Sequence, residues 1–558
     1  MGEPAQTPFK TTGSQWLMPV SEYLGFPLDQ VNFLACQLFA LTAAFCFRLY
    51  LSPAHVSPLV RHFVAALLGI SFLVFCFGWY SSHILAVVVA NYLIIIKADL
   101  NNVHRGKTLY KLNMGFWTHT SVSMIRGNEV IEHFRLKPGQ SRKRPEQQVI
   151  ITLRYSMVIS MGYLTACQVS RVFIFNYGIL STDFSGPLMI VTQKLTTLAF
   201  QLHDGMCKKT EQLTQEQKLM AINVRPSFIE YLSYNLNFLS VLVGPCSNYK
   251  EYIDFIEGRH ISTRLKQQHA SSNRQNGYNK TQDPSPLNAV CHKLVVCAGC
   301  MLFFLTITRS LPIKYNVDPD FVSQASFLTR LTYAFFSIQA ARPKFYFAWT
   351  LADAVNNAAG YGFLGMDEHG KPSWDLISNL NIIGIETATS FKTFIDNWNI
   401  QTGIWLKTVC YDQAPKHRLA LTFILSALWH GVYPGYYFTF LTAIPITIAA
   451  RAIRRSIRHY FLGSRVMKLG YDILTWAATQ LAICYTVMPF LLLAVNYTIV
   501  YYRSMYFHVH IISILAAVAL HRKHKPREPT TTKTSSVSSS APCSAQCQHV
   551  HSNNNDKD

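Results

Sequence analysis

Long apolar stretches alternate with shorter polar connections along most of this chain. A helix needs roughly 20 apolar residues to cross the hydrocarbon of a bilayer, and many of the stretches approach that length. They cover residues 31–50, 63–79, 84–96, 157–175, 188–202, 229–243, 289–307, 327–348, 419–429, 436–450, 471–495 and 508–520. The pattern predicts an all-α, polytopic transmembrane protein with about 10–12 membrane segments and additional interfacial helices.

One apolar stretch carries a regular polar stripe. Polar side chains recur at every fourth position and would share one face of a helix: Arg418, Thr422, Ser426 and His430. An ionisable side chain at membrane depth faces a protein interior or a water-filled cavity rather than lipid. Gly431 and Pro434 follow directly and weaken the helix after His430. The stripe therefore predicts the wall of a buried chamber, with His430 at its end.

Residues 374–418 contain a second informative pattern. Six mostly apolar positions fall within one narrow sector at helical spacing: Phe391, Ile395, Trp398, Thr402, Trp405 and Val409. The charged residues of this stretch fall outside that sector, so the pattern predicts one amphipathic helix at the membrane interface. Asn399 lies at the edge of the apolar sector, where a side-chain amide must find partners or serve a ligand.

A third polar stripe runs through the stretch 345–357. Thr350, Asp353 and Asn357 share one helical face. An aspartate inside a membrane is by default a functional candidate, although a structural hydrogen-bond network explains the stripe slightly better. Asp353 and Asn357 therefore join Ser426 and Trp398 as candidate substrate-binding residues.

Composition and charge support the membrane assignment and exclude other classes. The chain of 558 residues is 50% hydrophobic and only 14% charged, whereas about 25% is usual for soluble proteins. The net charge of +21 is concentrated between the apolar stretches, in clusters such as 142–144, 451–468 and 522–527. The positive-inside rule predicts that these loops are cytosolic, so nucleic acid is not an expected partner. No cleavable signal peptide is predicted.

The domain organisation follows from where the membrane pattern stops. We predict an N-terminal segment over residues 1–30, one integrated transmembrane domain over 31–520, and a disordered basic and Ser/Thr-rich tail over 521–558. Within the domain, residues 249–286 are rich in Ser, Asn and Gln and predict a polar, partly disordered loop.

The sequence contains no motif for a metal or a tightly bound cofactor. Walker loops, dinucleotide-binding glycine patterns, HExxH and clustered metal ligands are all missing from it. Most of the 13 cysteines lie in apolar stretches, where cysteine is typically a small hydrophobic residue. Difficult chemistry would therefore depend on an activated substrate.

His430 and Asn399 suit one type of reaction. Imidazole titrates near neutral pH, and burial favours its neutral, proton-accepting form. The asparagine amide can hold substrate or a developing negative charge. Together they fit the attack of an alcohol on a carbonyl without a protein nucleophile. The alternative for His430 is a packed core residue.

Two segments resemble the membrane-bound O-acyltransferase family, in its lysophospholipid acyltransferase branch. They are Ser426-Ala-Leu-Trp-His-Gly-Val-Tyr-Pro-Gly-Tyr-Tyr437 and Asp396-Asn-Trp-Asn-Ile-Gln-Thr402. The likeness extends through Leu28-Asp-Gln-Val-Asn-Phe33, Asp183-Phe-Ser-Gly-Pro-Leu-Met189, Tyr346-Phe-Ala-Trp-Thr-Leu-Ala-Asp-Ala354 and Ser504-Met-Tyr506. It departs from the family at residues 106–159, an atypical polar insertion.

The resemblance implies a catalytic role for His430 and Asn399. It also implies acyl-CoA as co-substrate, a lysophospholipid acceptor with an ethanolamine or serine headgroup (choline being the further possibility), and a multi-pass location in the endoplasmic reticulum. Two alternatives remain: the same chemistry on a sterol, diacylglycerol or protein, and a polytopic transporter. A transporter of this type predicts internal repeats, and the sequence shows none.

Overall fold

The computed structural model describes residues 12–97, 144–174, 183–271 and 284–522, and these residues are predominantly helical. The predicted tail from residue 523 onward and residues 106–143 of the 106–159 insertion lie outside the described residues. The rest of that insertion, from residue 144, belongs to a long helix.

The first half of the chain forms ten helices within the described ranges. They are α1 (Met18–Leu24), α2 (Leu28–Tyr50), α3 (Pro58–Phe77), α4 (Ser81–Lys97), α5 (Arg144–Ile174), α6 (Ser185–Cys207), α7 (Gln215–Met220), α8 (Phe228–Leu236), α9 (Tyr249–Ile256) and α10 (His260–Ser271). The stretch 249–286, predicted as a polar loop, thus begins with two short helices.

The second half adds twelve helices and one two-residue hairpin within the described ranges. The helices are α11 (Leu287–Thr306), α12 (Pro319–Gln324), α13 (Phe327–Ala341), α14 (Pro343–Ala358), α15 (Ile382–Glu386), α16 (Phe391–Asn397), α17 (Ile400–Leu406), α18 (Arg418–His430), α19 (Pro434–Ile457), α20 (Arg465–Leu492), α21 (Val495–Ser504) and α22 (His508–Arg522). The antiparallel strands β1 (Gly365–Met366) and β2 (Pro372–Ser373) pair with Gly365 opposite Ser373.

The all-α, polytopic architecture is confirmed, but the described residues contain fewer full spans than the 10–12 predicted segments. Five helical stretches are long and apolar enough to cross a membrane, or six if the bent pair α21 and α22 counts as one. Several predicted segments form shorter helices instead. The stretch 327–348, for example, divides at Pro343, which begins α14 because proline lacks the N–H that would continue α13.

Helix α6 is the centre of the packing. Its residues 191–202 are buried without interruption, and it contacts α4, α5, α7, α8, α9 and α17. Even its one lysine in this run, Lys194, is fully buried and donates to the Tyr234 carbonyl at 3.0 Å. The helix therefore provides a rigid reference against which other elements are held.

The prediction of one amphipathic helix through residues 391–409 is wrong in its continuity. The segment forms two short helices, α16 and α17, separated at Trp398 and Asn399, and continues as a π-helical turn over Lys407–Tyr411. The predicted apolar face is nevertheless largely buried, since Phe391, Trp405 and Val409 all belong to the core. Tertiary packing buries the apolar positions while the backbone turns at Asn399.

Candidate active site

His430 is the last residue of α18, as the sequence pattern predicts. The Gly431 N–H donates to the Ala427 carbonyl at 3.1 Å, and Gly431 has a φ of 138°. Only glycine adopts this backbone conformation readily. The chain then turns and begins α19 at Pro434, so the backbone opens directly after the histidine.

The imidazole of His430 is enclosed by aromatic rings but bonded to none of its neighbours. Its ring centroid lies 4.6 Å from that of Trp429, 5.7 Å from Tyr436, 5.3 Å from Phe440 and 5.0 Å from Phe490. The side chain is only partly buried, and neither ring nitrogen has a hydrogen-bond partner among the described residues. The ring is therefore positioned by packing while its nitrogens stay available.

Asn399 occupies the tight turn between α16 and α17. Its backbone is left-handed, with φ 49° and ψ 51°, a conformation that asparagine tolerates better than most residues. The neighbouring Ile400 N–H donates to the Asn379 carbonyl at 2.9 Å. The Asn399 side chain caps no helix and has no hydrogen-bond partner within the described part of the chain. A fixed backbone thus presents a free amide.

Hydrogen bonds to helix α6 fix the positions of both residues along the axis of that helix. The Gln193 amide donates to Thr402 Oγ1 at 2.9 Å, and the Trp405 indole donates to Thr196 Oγ1 at 2.8 Å. Residue numbers increase together along these two pairs, so α17 runs parallel to α6 with a fixed register. Asn399, one turn before Thr402, therefore lies at the level of residue 190.

His430 reaches the same level of α6 by a separate contact. The indole of Trp429, the preceding residue, donates to the Met189 carbonyl at 3.1 Å. The rings of Trp405 and Trp429 also pack against each other, with centroids 5.7 Å apart. Two independent tethers on α6 thus bring the start of α17 and the end of α18 to one height, although 31 residues separate the two side chains in sequence.

Comparison with known proteins identifies the family of this chain. The model of the membrane-bound O-acyltransferase family, MBOAT, matches residues 169–492. The chain belongs to this family. Membrane-bound glycerophospholipid O-acyltransferase 1 of Homo sapiens is 52% identical over 532 residues, which cover 95% of this chain and 97% of that protein. Membrane-bound glycerophospholipid O-acyltransferase 2 of Homo sapiens is 47% identical, covering 95% and 92%, and lysophospholipid acyltransferase 6 of Drosophila melanogaster is 36% identical, covering 91% and 63%.

In this O-acyltransferase, Asp353 and Asn357 lie in a protein network rather than beside His430. Lys293 of α11 approaches Asp353 Oδ2 at 2.8 Å and donates to Asn357 Oδ1 at 2.9 Å. Ser378 also donates to Asp353 Oδ2, while Asp353 Oδ1 has no partner among the described residues. This geometry favours the structural alternative kept open in the sequence analysis.

The Lys293 network nevertheless stabilises the turn at Asn399 indirectly. Ser378, which it holds, precedes Asn379, and Asn379 accepts hydrogen bonds from the backbone N–H groups of Ile400 and Gln401 at 2.9 and 3.4 Å. The turn that contains Asn399 is thus connected to the Lys293 network through the segment Ser378-Asn379. Asp353 itself has no direct contact with Asn399 and is linked to it only through Ser378 and Asn379.

Trp398 and Ser426 lie next to the two central residues. Trp398 packs in an aromatic group with Phe345, Tyr346, Trp349 and Phe394 at centroid distances of 5.5 to 6.1 Å. Ser426 is buried one turn before His430. Elsewhere in the stripe, Arg418 and Thr422 donate to backbone carbonyls of their own segment, at 2.9 and 2.8 Å. Along this stripe, Arg418 and Thr422 are therefore hydrogen-bonded within their own segment, whereas the imidazole of His430 has no hydrogen-bond partner among the described residues.

Sequence reasoning did not assign the residues that surround His430 from other helices. Gln168 of α5 donates to the Trp429 carbonyl at 3.0 Å, and Phe440 and Phe490 flank the imidazole. Nothing in the local sequence marks Phe440 and Phe490, which are ordinary members of apolar stretches, whereas Gln168 is a polar residue inside the stretch 157–175 and so carries the same ambiguous signal as Asp353. The turn at Asn399 did carry a signal: three asparagine or aspartate residues within 396–399, which favour turns.

A surface cavity lies at the opposite end of α17. Its volume is about 560 Å³, and Lys208, Glu216, Lys407 and Gln413 are among its lining residues. The Glu216 carboxylate, which accepts a hydrogen bond from Lys407 at 3.1 Å, raises the pKa of that ammonium. Lys208 in turn pairs with Asp204 at 2.6 Å. Both cations already have protein partners. In the described residues no group of three or more metal-ligating side chains is found.

Proposed function

We propose that this chain transfers a long-chain fatty acyl group from acyl-CoA to the free hydroxyl of a lysophospholipid in the endoplasmic reticulum membrane. The observation that carries the proposal is the pair of unbonded side chains, His430 and Asn399, tethered to one level of α6. The relatives, which are named as glycerophospholipid O-acyltransferases, support this acceptor class. An ethanolamine or serine headgroup is the preferred acceptor in this proposal, with choline accepted less well.

The proposed reaction is a direct transfer. His430 takes the proton of the lysolipid hydroxyl, and the hydroxyl oxygen attacks the thioester carbonyl carbon. The amide of Asn399 donates to the carbonyl oxygen as it gains negative charge. The carbon–sulfur bond then breaks, His430 returns the proton to the sulfur, and CoA and a diacyl phospholipid leave. The thioester supplies the driving force, so the protein needs no nucleophile of its own.

Enclosure of His430 by aromatic rings supports an acyl transfer over hydrolysis. Water that reached the same position would consume the thioester, and apolar walls limit its access. The aromatic group around Trp398 offers a surface suited to a fatty chain beside the amide. Both features fit an acceptor that enters from the bilayer.

The test uses microsomes from cells that express the chain, supplied with labelled oleoyl-CoA and a panel of lysolipids. We expect labelled diacyl phospholipid from the wild type and a loss of at least about a hundredfold for His430→Ala, since a general base contributes at least that much. Immunoblotting and gel filtration in detergent check that the variant accumulates in folded form. Equal product from wild type and variant, or no product with any lysolipid, would contradict the proposal.

A further inference from the structure

A group of charged and amide side chains lies beside His430 without a place in the proposed reaction. It consists of Asp29 of α2, Gln168 and Arg171 of α5, and Asp183 just before α6. Asp29 and Asp183 belong to two of the segments that carry the family resemblance. The proton transfer described above uses none of the four.

Gln168 joins this group to the candidate active site. Its amide nitrogen is bonded to the Trp429 carbonyl, immediately before His430, while its amide oxygen is buried without a hydrogen-bond partner among the described residues. The side chain is 94% buried, from an exposed fraction of 6%. A buried carbonyl oxygen left without a donor is costly, so a donor from a ligand would relieve it.

Arg171 lies one turn beyond Gln168 on the same face of α5. It forms an ion pair with Asp183 and contacts the Ser185 hydroxyl at 3.5 Å. The arginine and aspartate side chains are 29% and 44% exposed, so a ligand can reach both. An ion pair with this exposure contributes little to stability, and exchanging it for a ligand costs little.

Asp29 completes the group from the opposite helix. One oxygen of its carboxylate is buried and has no hydrogen-bond partner in the described ranges. The charges of Asp183 and Arg171 are close enough to act on Asp29, and they also act on Tyr436, whose ring packs against His430. Asp29 is therefore within electrostatic range of the Arg171–Asp183 pair, and that pair is within the same range of the tyrosine that packs against His430.

We propose that Asp29, Gln168, Arg171 and Asp183 bind the headgroup of the lysolipid acceptor, an inference that rests on the proposed function. Arg171 binds the phosphate, the two carboxylates accept hydrogen bonds from a primary ammonium, and Gln168, which is bonded next to His430, lies at the glycerol end of the bound acceptor. A zwitterionic headgroup thereby replaces one ion pair within the protein by two between protein and ligand. A quaternary ammonium has no N–H to donate, so this site favours ethanolamine over choline.

The dimensions of the acceptor agree with this assignment. Three covalent bonds separate the hydroxyl-bearing carbon of a 2-lysophospholipid from phosphorus, and the ammonium lies farther along the same chain. Arg171 lies three residues beyond Gln168 along α5, about 4.5 Å at the rise of an α-helix. A hydroxyl at His430 thus puts the phosphate toward Arg171 and the ammonium toward the carboxylates.

The test measures selectivity within each microsome preparation, so that differences in folded amount cancel. Three acceptors with the same acyl chain are compared: lysophosphatidylethanolamine, lysophosphatidylcholine and lysophosphatidic acid, which has no amine. We expect Asp29→Asn and Asp183→Asn to lower kcat/KM for the ethanolamine lipid about tenfold, because a hydrogen-bonding pocket has lost its acceptor. The value for lysophosphatidic acid should not fall. Arg171→Gln should lower kcat/KM for all three.

Two controls separate headgroup binding from a structural ion pair. Asp254→Asn, which removes the aspartate–arginine pair between α9 and Arg259, should leave all three values unchanged. The double variant Arg171→Asp, Asp183→Arg keeps an ion pair but exchanges the positions of the two charges. If this double variant has the selectivity of the wild type, the proposal is overturned. An equal loss for every acceptor in Asp29→Asn would also overturn it, while leaving acyl transfer itself intact. A wild type inactive on all three lipids would instead refute the proposed function and this inference with it.

Discussion

Two groups of polar side chains in this O-acyltransferase differ in how far the protein supplies them with hydrogen-bond partners. Around Lys293, the ammonium contacts Asp353, Asn357 and the Trp374 carbonyl, all within 3.1 Å. At the level of Met189, the His430 and Asn399 side chains have fixed positions but no hydrogen-bond partners among the described residues. The comparison shows that burial of a polar side chain does not by itself mark a site. What distinguishes the second group is that the scaffold fixes the backbone at Asn399 and the ring of His430 while their side-chain polar atoms have no partners among the described residues.

The prediction with the largest expected effect concerns the hydrogen-bonded group around Lys293. Asp353→Ala leaves Lys293 buried without its main counter-charge, which typically costs about 3–5 kcal/mol. We expect little folded protein, measured as the monodisperse fraction in detergent. The double variant Asp353→Leu with Lys293→Met removes both charges and should recover most of that fraction together with activity. If the double variant folds but stays inactive, Asp353 has a role in the reaction and the two groups are not separate.

The second prediction compares one asparagine from each group. Asn399→Ala should lower kcat about 100-fold or more, as the loss of a donor to a developing oxyanion does, with thermal stability unchanged. Asn357→Ala should instead lower stability by about 1–3 kcal/mol, because Lys293 and the Trp374 carbonyl lose a partner. Thermal unfolding and initial rates are measured on both purified variants. A large stability loss in Asn399→Ala would show that its amide is structural after all.

The smallest effect concerns the register between α6 and α17. Thr402→Val keeps the shape of the side chain but leaves the buried Gln193 amide without its acceptor, which costs about 1–2 kcal/mol. Because the same bond sets the height of Asn399, we expect kcat to fall severalfold as well. Thr408→Val, on the exposed side of the following turn, is the matched control. A loss of stability with unchanged kcat would mean that the Trp405 tether alone holds the register.

The sequence was sufficient for features that depend on local pattern. The helix containing His430, its end before Gly431 and the apolar stretches follow from helical periodicity and glycine conformation. The Asp353 network could be anticipated only as a possibility, because Lys293, its counter-charge, lies 60 residues earlier in the chain. Local periodicity predicted an unbroken helix through residue 399, whereas the segment 376–381 pairs with 397–401 and stabilises a turn there.

The common level of Asn399 and His430 along α6 could not be derived from periodicity at all. It depends on the register of two hydrogen bonds to Gln193 and Thr196 and of one to the Met189 carbonyl. These contacts join segments more than 200 residues apart in sequence. A resemblance to known enzymes supplied the pairing of the two residues, and the packing around α6 supplies a physical reason for it.

The shortness of α17 and α18 has a consequence for biogenesis. With 7 and 13 residues, neither reaches the roughly 30 Å needed to cross a bilayer alone, since 13 residues extend only about 20 Å. The translocation machinery cannot release either one into lipid as an independent span. Both must wait until α6, α19 and α20 have assembled around them, so catalytic competence arises late in maturation, after the surrounding helices are already embedded.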